Sequence, residues 1–132
     1  MTTPASTHPP LADIAEMICG RLTSYRLSVS TEAALHVDVD RVLHTIYPLV
    51  EHEYDLGGGH GRIDFYIPEL QIGLELKVKG GAALVARQLH RYCQSPKLRA
   101  LVLVTTNPLH SRLPKEINGV SLHLALTARG WA

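Results

Sequence analysis

Gly61-Arg62-Ile63-Asp64-Phe65-Tyr66-Ile67, followed by Leu74-Glu75-Leu76-Lys77-Val78-Lys79, decides the fold class of this 132-residue chain. In both stretches apolar residues recur at every second position, the period of a strand whose successive side chains point to opposite faces. Ile63, Phe65 and Ile67 are expected on one face of the first strand, with Asp64 and Tyr66 on the other. Ile72, Leu74, Leu76 and Val78 share one face of the second strand, and Gly73, Glu75, Lys77 and Lys79 the opposite one. Pro68 ends the first strand, and a hairpin about Glu69-Leu70 brings the two together. Asp64, Glu75 and Lys77 are then expected on one surface of paired strands. Two close carboxylates cost free energy unless a cation or the lysine compensates. Hard oxygen donors of this kind suit Mg²⁺, with Mn²⁺ as its substitute, bound through one or two carboxylates plus substrate phosphate and water. Lys77 would orient or help activate an attacking water.

An Asp…Glu-x-Lys pattern also occurs where the second face of a sheet is simply solvated, with the Glu and Lys an ordinary surface pair. The flanking sequence weighs against that account. Gly57-Gly58-Gly59-His60-Gly61 precedes the Asp strand and reads as a loop that needs positive φ. Gly80-Gly81 follows the Glu-x-Lys strand and leads into a helix over about 82–94, stopped before Pro96.

Further from this hairpin, Leu11, Ile14, Ala15, Ile18, Leu22 and Tyr25 recur at helical spacing and predict a first helix over 11–25. Ser30 is expected to cap a second helix that buries Leu35, Val39, Val42 and Ile46 and ends before Pro48. Glu32 falls roughly in line with Leu35 and Val39, where a carboxylate is costly without a partner. Capping the helix N-terminus is the alternative account of it. Val50, His52, Tyr54 and Leu56 alternate with Glu51, Glu53 and Asp55, predicting a half-buried strand. Ala100 to Thr105 is an apolar run suited to a central strand covered on both faces. Leu109 to Ile117 reads as a short helical turn interrupted by Pro114, and Val120 to Leu126 as a last strand. The order is α/β, a mixed central sheet flanked by helices.

The two stretches quoted first, in this order of elements, resemble the PD-(D/E)xK nuclease superfamily, which includes many restriction endonucleases, Holliday-junction resolvases and recombination exonucleases. The resemblance covers roughly residues 30–127 and implies a restriction-endonuclease-like α-β-β-β-α-β core, here with an extra N-terminal helix. Gln88-Leu89-His90-Arg91-Tyr92 is similar to the Q-x-x-x-Y element of the recombination-exonuclease branch. Ile63 stands where members usually carry Pro. The resemblance implies that Asp64 and Glu75 are metal ligands and Lys77 the catalytic lysine. Glu32 matches the glutamate many members carry before the first strand, and it would complete the acidic cluster.

Gln88 and Tyr92, four residues apart, share a helix face beside Val85, Leu89 and Cys93. Read functionally, the amide reaches the active centre or the DNA backbone, and the tyrosine contacts phosphate or stacks on a base. Read structurally, the pair anchors the helix to the sheet. Arg62, Lys79, Arg87 and Arg91 are candidate phosphate contacts, as are Lys97 and Arg99, with solvated charge as the alternative. Asp38, Asp40 and His44 read as a solvated helix face, and no H-E-x-x-H spacing is present. His60 and His90 are the histidines placed to approach the site.

Charge is distributed unevenly. Residues 1–61 carry three Arg against eight Asp/Glu, whereas 62–115 carry nine Lys/Arg against three Asp/Glu. An anion-binding surface on the second segment is compatible with a net charge of only +1. Two cysteines make neither a disulfide framework nor a cysteine zinc site and fit a reducing cytosol. No run approaches the ~18 apolar residues of a membrane helix, and the Thr/Pro-rich start lacks a signal-peptide pattern. The expectation is a cytoplasmic or nucleoid-associated protein that is not secreted, with residues 1–10 a flexible tail and 11–132 one nuclease-like domain. The function expected is that of a Mg²⁺-dependent DNA endonuclease, possessing structure selectivity for branched DNA and working as a homodimer. Its first helix and final strand are the expected interface. The alternative is a nuclease-fold protein that binds nucleic acid or a partner protein without cutting, against which the intact Asp/Glu/Lys set argues.

Overall fold

Helical periodicity places two helices before any strand. The computed structural model describes residues 9–127, so most of the expected tail lies outside the described residues. Helix α1 spans Leu11–Thr23 and α2 spans Glu32–His44. Thr31, rather than Ser30, caps α2, its hydroxyl accepting from the Ala34 N–H at 3.0 Å. Glu32 therefore begins the helix on its exposed first turn, outside the apolar stripe of Leu35, Val39, Val42 and Leu43.

Six strands form one mixed sheet: β1 (Glu51–Asp55), β2 (Arg62–Ile67), β3 (Ile72–Lys77), β4 (Ala100–Thr105), β5 (Glu116–Ile117) and β6 (Val120–Leu126). Their spatial order is β1-β2-β3-β4-β6-β5. The first three pair antiparallel, β4 runs parallel to both β3 and β6, and β5 returns antiparallel to β6. Helix α3 (Ala82–Tyr92) makes the crossover between the parallel strands β3 and β4. A 3₁₀ turn over Pro108–Arg112 stands where the sequence suggested a helical turn. The segment before β6 adds a strand not expected from sequence, β5. Asn118 and Gly119, both at positive φ, turn it back onto β6.

Two apolar layers sandwich the sheet. One joins α1 and α2 to Phe65, Ile67, Ile72, Leu74, Leu76, Val102 and Val104. The other joins α3 to Ile63, Tyr66, Leu101 and Leu103. This packing accounts for the apolar residues on which the expected dimer interface rested. The apolar face of α1 (Ala15, Ile18, Cys19, Leu22) is buried in the first layer, and β6 lies inside the sheet between β4 and β5. Apolar character in those elements serves the core.

The strict alternation expected of β2 also fails, at one rung. Phe65 and Ile67 face the α1/α2 layer, but Ile63 lies in the α3 layer beside Tyr66. The neighbouring strand switches at the same level. His52 packs edge-on to Phe65, whereas Tyr54, two residues on, stacks on Tyr66. Between them Glu53 has φ +48°, a left-handed conformation costly for a non-glycine residue. The register runs through this level unchanged, from His52 opposite Phe65 to Tyr54 opposite Ile63. The face switch therefore falls where Glu53 and Asp64 meet.

Candidate active site at the open end of β2 and β3

The β2–β3 ladder pairs Ile67 with Ile72, Tyr66 with Gly73 and Phe65 with Leu74. One residue beyond, side chains take over from the backbone. The Asp64 carboxylate accepts from the Leu76 N–H at 2.8 Å, and the Asp64 N–H donates to Glu75 Oε1 at 3.2 Å. The two acids thus clasp each other's strand where the ladder ends. This replaces the expected picture of both carboxylates standing on one flat surface. Glu75 and Lys77 lie on the α3 side of β3, while Asp64 opens into a cleft on the α2 side. That cleft, about 320 Å³, is lined by Asp64, Leu76, Glu32, Ala33, His36 and Glu53.

Glu75 is 3% exposed. Its Oε2 lies 3.2 Å from Lys77 Nζ and 3.2 Å from the Tyr92 hydroxyl. Burial first, and then the charge of Asp64, pushes its carboxyl up to about 8, against the opposing pull of Lys77. Near neutral pH such a carboxyl holds its proton for much of the time. The Tyr92 hydroxyl lies 2.9 Å from the Arg62 carbonyl and 3.2 Å from Glu75 Oε2, either of which can take its single hydrogen, and its oxygen accepts from Gln88 Nε2 at 2.8 Å.

Tyr92 is 1% exposed, and burial followed by the charge of Glu75 raises its phenol further above the ordinary value. A ring so enclosed has no face for a base and no hydroxyl for a phosphate. The structural account of the Gln88/Tyr92 pair is the one observed: it props Glu75 and locks α3 to β2. Gly61 makes this approach possible. At φ +112°, a Cβ there would meet the Tyr92 ring at 2.8 Å.

Glu32 reaches the site from α2, its carboxylate accepting from the Val78 N–H at 3.3 Å just past the end of β3. The basic candidates gather on the opposite side of β3. Lys77, Lys79, Arg87, Gln88 and Arg91 line an open cleft of about 500 Å³ together with Gly80, Leu84 and Val85. Arg62 is exposed and reaches the Glu53 carbonyl at 3.3 Å. The expected residues therefore meet around one strand end, with Asp64 and Glu32 toward α2 and Glu75, Lys77, Lys79, Arg87 and Arg91 toward α3. Sequence reasoning missed Glu53 and His36 as cleft residues. Glu53 was hidden in an alternating run, and only its unusual backbone conformation marks it.

An all-oxygen donor set is the kind that hard divalent cations take, and a cation at the Asp64/Glu75 pair would offset the repulsion that raises Glu75. Asp64, Glu32 and Glu53 supply carboxylates of that type to the cleft, although among the described residues no three acids there bring ligand atoms within 4.8 Å of one another. Among the described residues, no helix is long and apolar enough to cross a membrane. No family model, curated protein or solved structure matches this chain.

Proposed function

We propose that this chain is a divalent-cation-dependent nuclease of the restriction-endonuclease-like kind, hydrolysing DNA phosphodiesters. The observation that carries the reading is the reciprocal clasp of Asp64 and Glu75 at the strand end, with the Lys77 ammonium 3.2 Å from Glu75. The sheet supports it: a β1-β2-β3 meander, then α3, then β4 parallel to β3 follows the α-β-β-β-α-β order of that superfamily.

Asp64 and Glu75 would hold Mg²⁺ or Mn²⁺, with Glu32 across the cleft. Bound there, the ion supplies Lewis-acid polarisation of the phosphoryl oxygen and lowers the pKa of a bound water. Lys77 contributes a fixed positive charge where negative charge develops on the phosphorus oxygens. Its bond to Glu75 holds the ammonium in place before substrate arrives. Lys79, Arg87 and Arg91 neutralise backbone phosphates along the basic cleft, a contribution that salt weakens. Gln88 and Tyr92 position Glu75.

The test is cleavage of linear, nicked, single-stranded and four-way-junction DNA in Mg²⁺ and in Mn²⁺, with EDTA as control. Metal-dependent products on any of these substrates are expected, with the junction cut in preference. Binding without cleavage in either metal would replace this reading with that of a nuclease-fold binding protein.

A further inference from the structure

We propose that Asp40, His44 and His52 form a second, separate metal site that takes a divalent transition-metal ion of the Zn²⁺ class. On α2, positions 36, 40 and 44 follow one another at i+4 spacing and therefore share a face. They present His36, Asp40 and His44 to the edge strand β1, which contributes His52. Asp40, His44 and His52 each bring one ligand-capable atom to within 4.8 Å of the other two, the only such group among the described residues. Asp40 Oδ1 lies 2.9 Å from His44 Nδ1 and 3.1 Å from His52 Nε2. Donors about 2.1 Å from one tetrahedral ion stand ~3.4 Å apart, so a small outward shift seats an ion among them.

Two polar atoms of the cluster, Asp40 Oδ1 and His36 Nε2, are buried with no hydrogen-bond partner. Despite its two nitrogen neighbours, Asp40 Oδ1 is buried and accepts no directed hydrogen bond. His44 Nδ1 donates to the Asp40 backbone carbonyl at 2.9 Å, so an ion on that nitrogen would have to replace this bond and its proton. His36 Nε2 is buried with no hydrogen-bond partner, and its ring is 5.5 Å from that of His52. Stacking on Phe65 holds the His36 ring in place. It is the nearest imidazole to serve as a fourth group. His44 and His52 are half-exposed, which leaves the ion a way in.

Ligand chemistry separates this site from the carboxylate centre. Imidazole with one carboxylate suits Zn²⁺, Co²⁺, Ni²⁺ or Cu²⁺, whereas Mg²⁺ selects oxygen donors. Eight residues of helix, ~12 Å along its axis, separate Asp40 from Glu32. An ion here would tie α2 to β1, the strand that also carries Glu53.

The proposal is tested with the full chain and Co²⁺ alone as the probe, with excess Mg²⁺ present to occupy oxygen-ligand sites. One Co²⁺ per chain is expected to bind, with the intense visible absorption of a low-symmetry, four-coordinate ion. His52→Ala, His44→Ala and Asp40→Ala should each weaken binding by more than the ~10–100-fold that loss of an outer-shell partner costs. Circular dichroism should show each variant folded, since both histidines are largely at the surface; His52→Gln and His44→Gln provide milder replacements if an alanine variant does not fold. Asp64→Asn should bind Co²⁺ as the unsubstituted chain does, which separates this test from that of the nuclease reading. Absence of a bound ion at 100-fold excess over protein, or binding unchanged in the three variants, would overturn the proposal.

Discussion

Two polar clusters flank β1 and β2, and they are built in opposite ways. The carboxylate cluster is buried and interlocked: Asp64 and Glu75 exchange bonds with each other's backbone, and Tyr92 closes the back of the site. The histidine cluster lies nearer the surface, with side chains brought together around one aspartate oxygen. The first pays for its charges by shifting a proton equilibrium, raising Glu75 to about 8. In the second, water can reach the two imidazoles, although the aspartate oxygen between them is buried. A buried acid pair demands compensation from its surroundings, whereas an exposed His/Asp group only permits a ligand.

The largest expected effect breaks the first cluster. Asp64→Asn and Glu75→Gln keep side-chain shape but remove the charge that would hold a hard cation. Each should lower turnover by at least ~10²–10³-fold, the scale of losing one strongly stabilising electrostatic group at a reaction centre. Steady-state cleavage in Mg²⁺ measures this. Turnover equal to that of the unsubstituted chain in either variant would remove the carboxylates from the chemistry.

Next in size is the contrast between Lys77 and Lys79, two residues apart on one strand end. Lys77 is bonded to Glu75, whereas Lys79 is exposed at the mouth of the basic cleft. Lys77→Ala should lower kcat by ~10²-fold with little change in DNA affinity. Lys79→Ala should leave kcat near its starting value, weaken binding and reduce the salt slope by about one. Equal defects in kcat would mean that the bond to Glu75 carries no chemical role.

The same contrast explains how much of the molecule was legible in the sequence. β2, β3 and α3 were readable because local periodicity and Gly/Pro punctuation determine them, and the Asp…Glu-x-Lys cluster follows from a hairpin only a few residues long. The face switch at Glu53 and Asp64 was not readable, because a left-handed residue inside an alternating run leaves the alternation intact in sequence. β5 was not read, because a two-residue strand is too short for any period to show. The histidine cluster was half legible. His36, Asp40 and His44 share one helix face, but His52 joins them only through the packing of β1 over α2. Tyr92 was placed on the correct face with DNA contact and anchoring of the helix both open, because burial depends on how closely Gly61 lets β2 approach α3.

Glu75 also makes stability depend on pH, and the sign is fixed by its environment. Its carboxyl titrates at about 8 in the folded chain against an ordinary 4.5. Between those values the folded state binds more protons than the unfolded one, so this group's contribution is full below pH 4.5 and is lost as pH rises through 8. Urea midpoints in EDTA should therefore fall between pH 5 and pH 8 more steeply for the unsubstituted chain than for Glu75→Gln. Added Mg²⁺ should restore stability at the higher pH, where the carboxylate is ionised. Parallel pH profiles for the two proteins would show that the buried acid is already compensated.

The smallest expected effect compares one member of each cluster by stability alone. Tyr92→Phe removes a single oxygen and keeps the buried ring. The Arg62 carbonyl then loses its donor, Gln88 its acceptor and Glu75 its neighbour, all beside a group that cannot reach water. Leaving such groups unpaired costs about 1–3 kcal/mol. His52→Ala removes a whole ring, but from the exposed edge strand, where water replaces its contact with Asp40. Surface changes of that kind usually stay within about 0.5 kcal/mol in the absence of an ion. Denaturant unfolding in EDTA should thus rank a one-atom deletion above a whole-ring deletion. Repeating the measurement with Zn²⁺ should narrow that gap, because the ion stabilises the unsubstituted chain and Tyr92→Phe but not His52→Ala. A gap that does not respond to Zn²⁺ would leave the histidine cluster as a set of surface contacts.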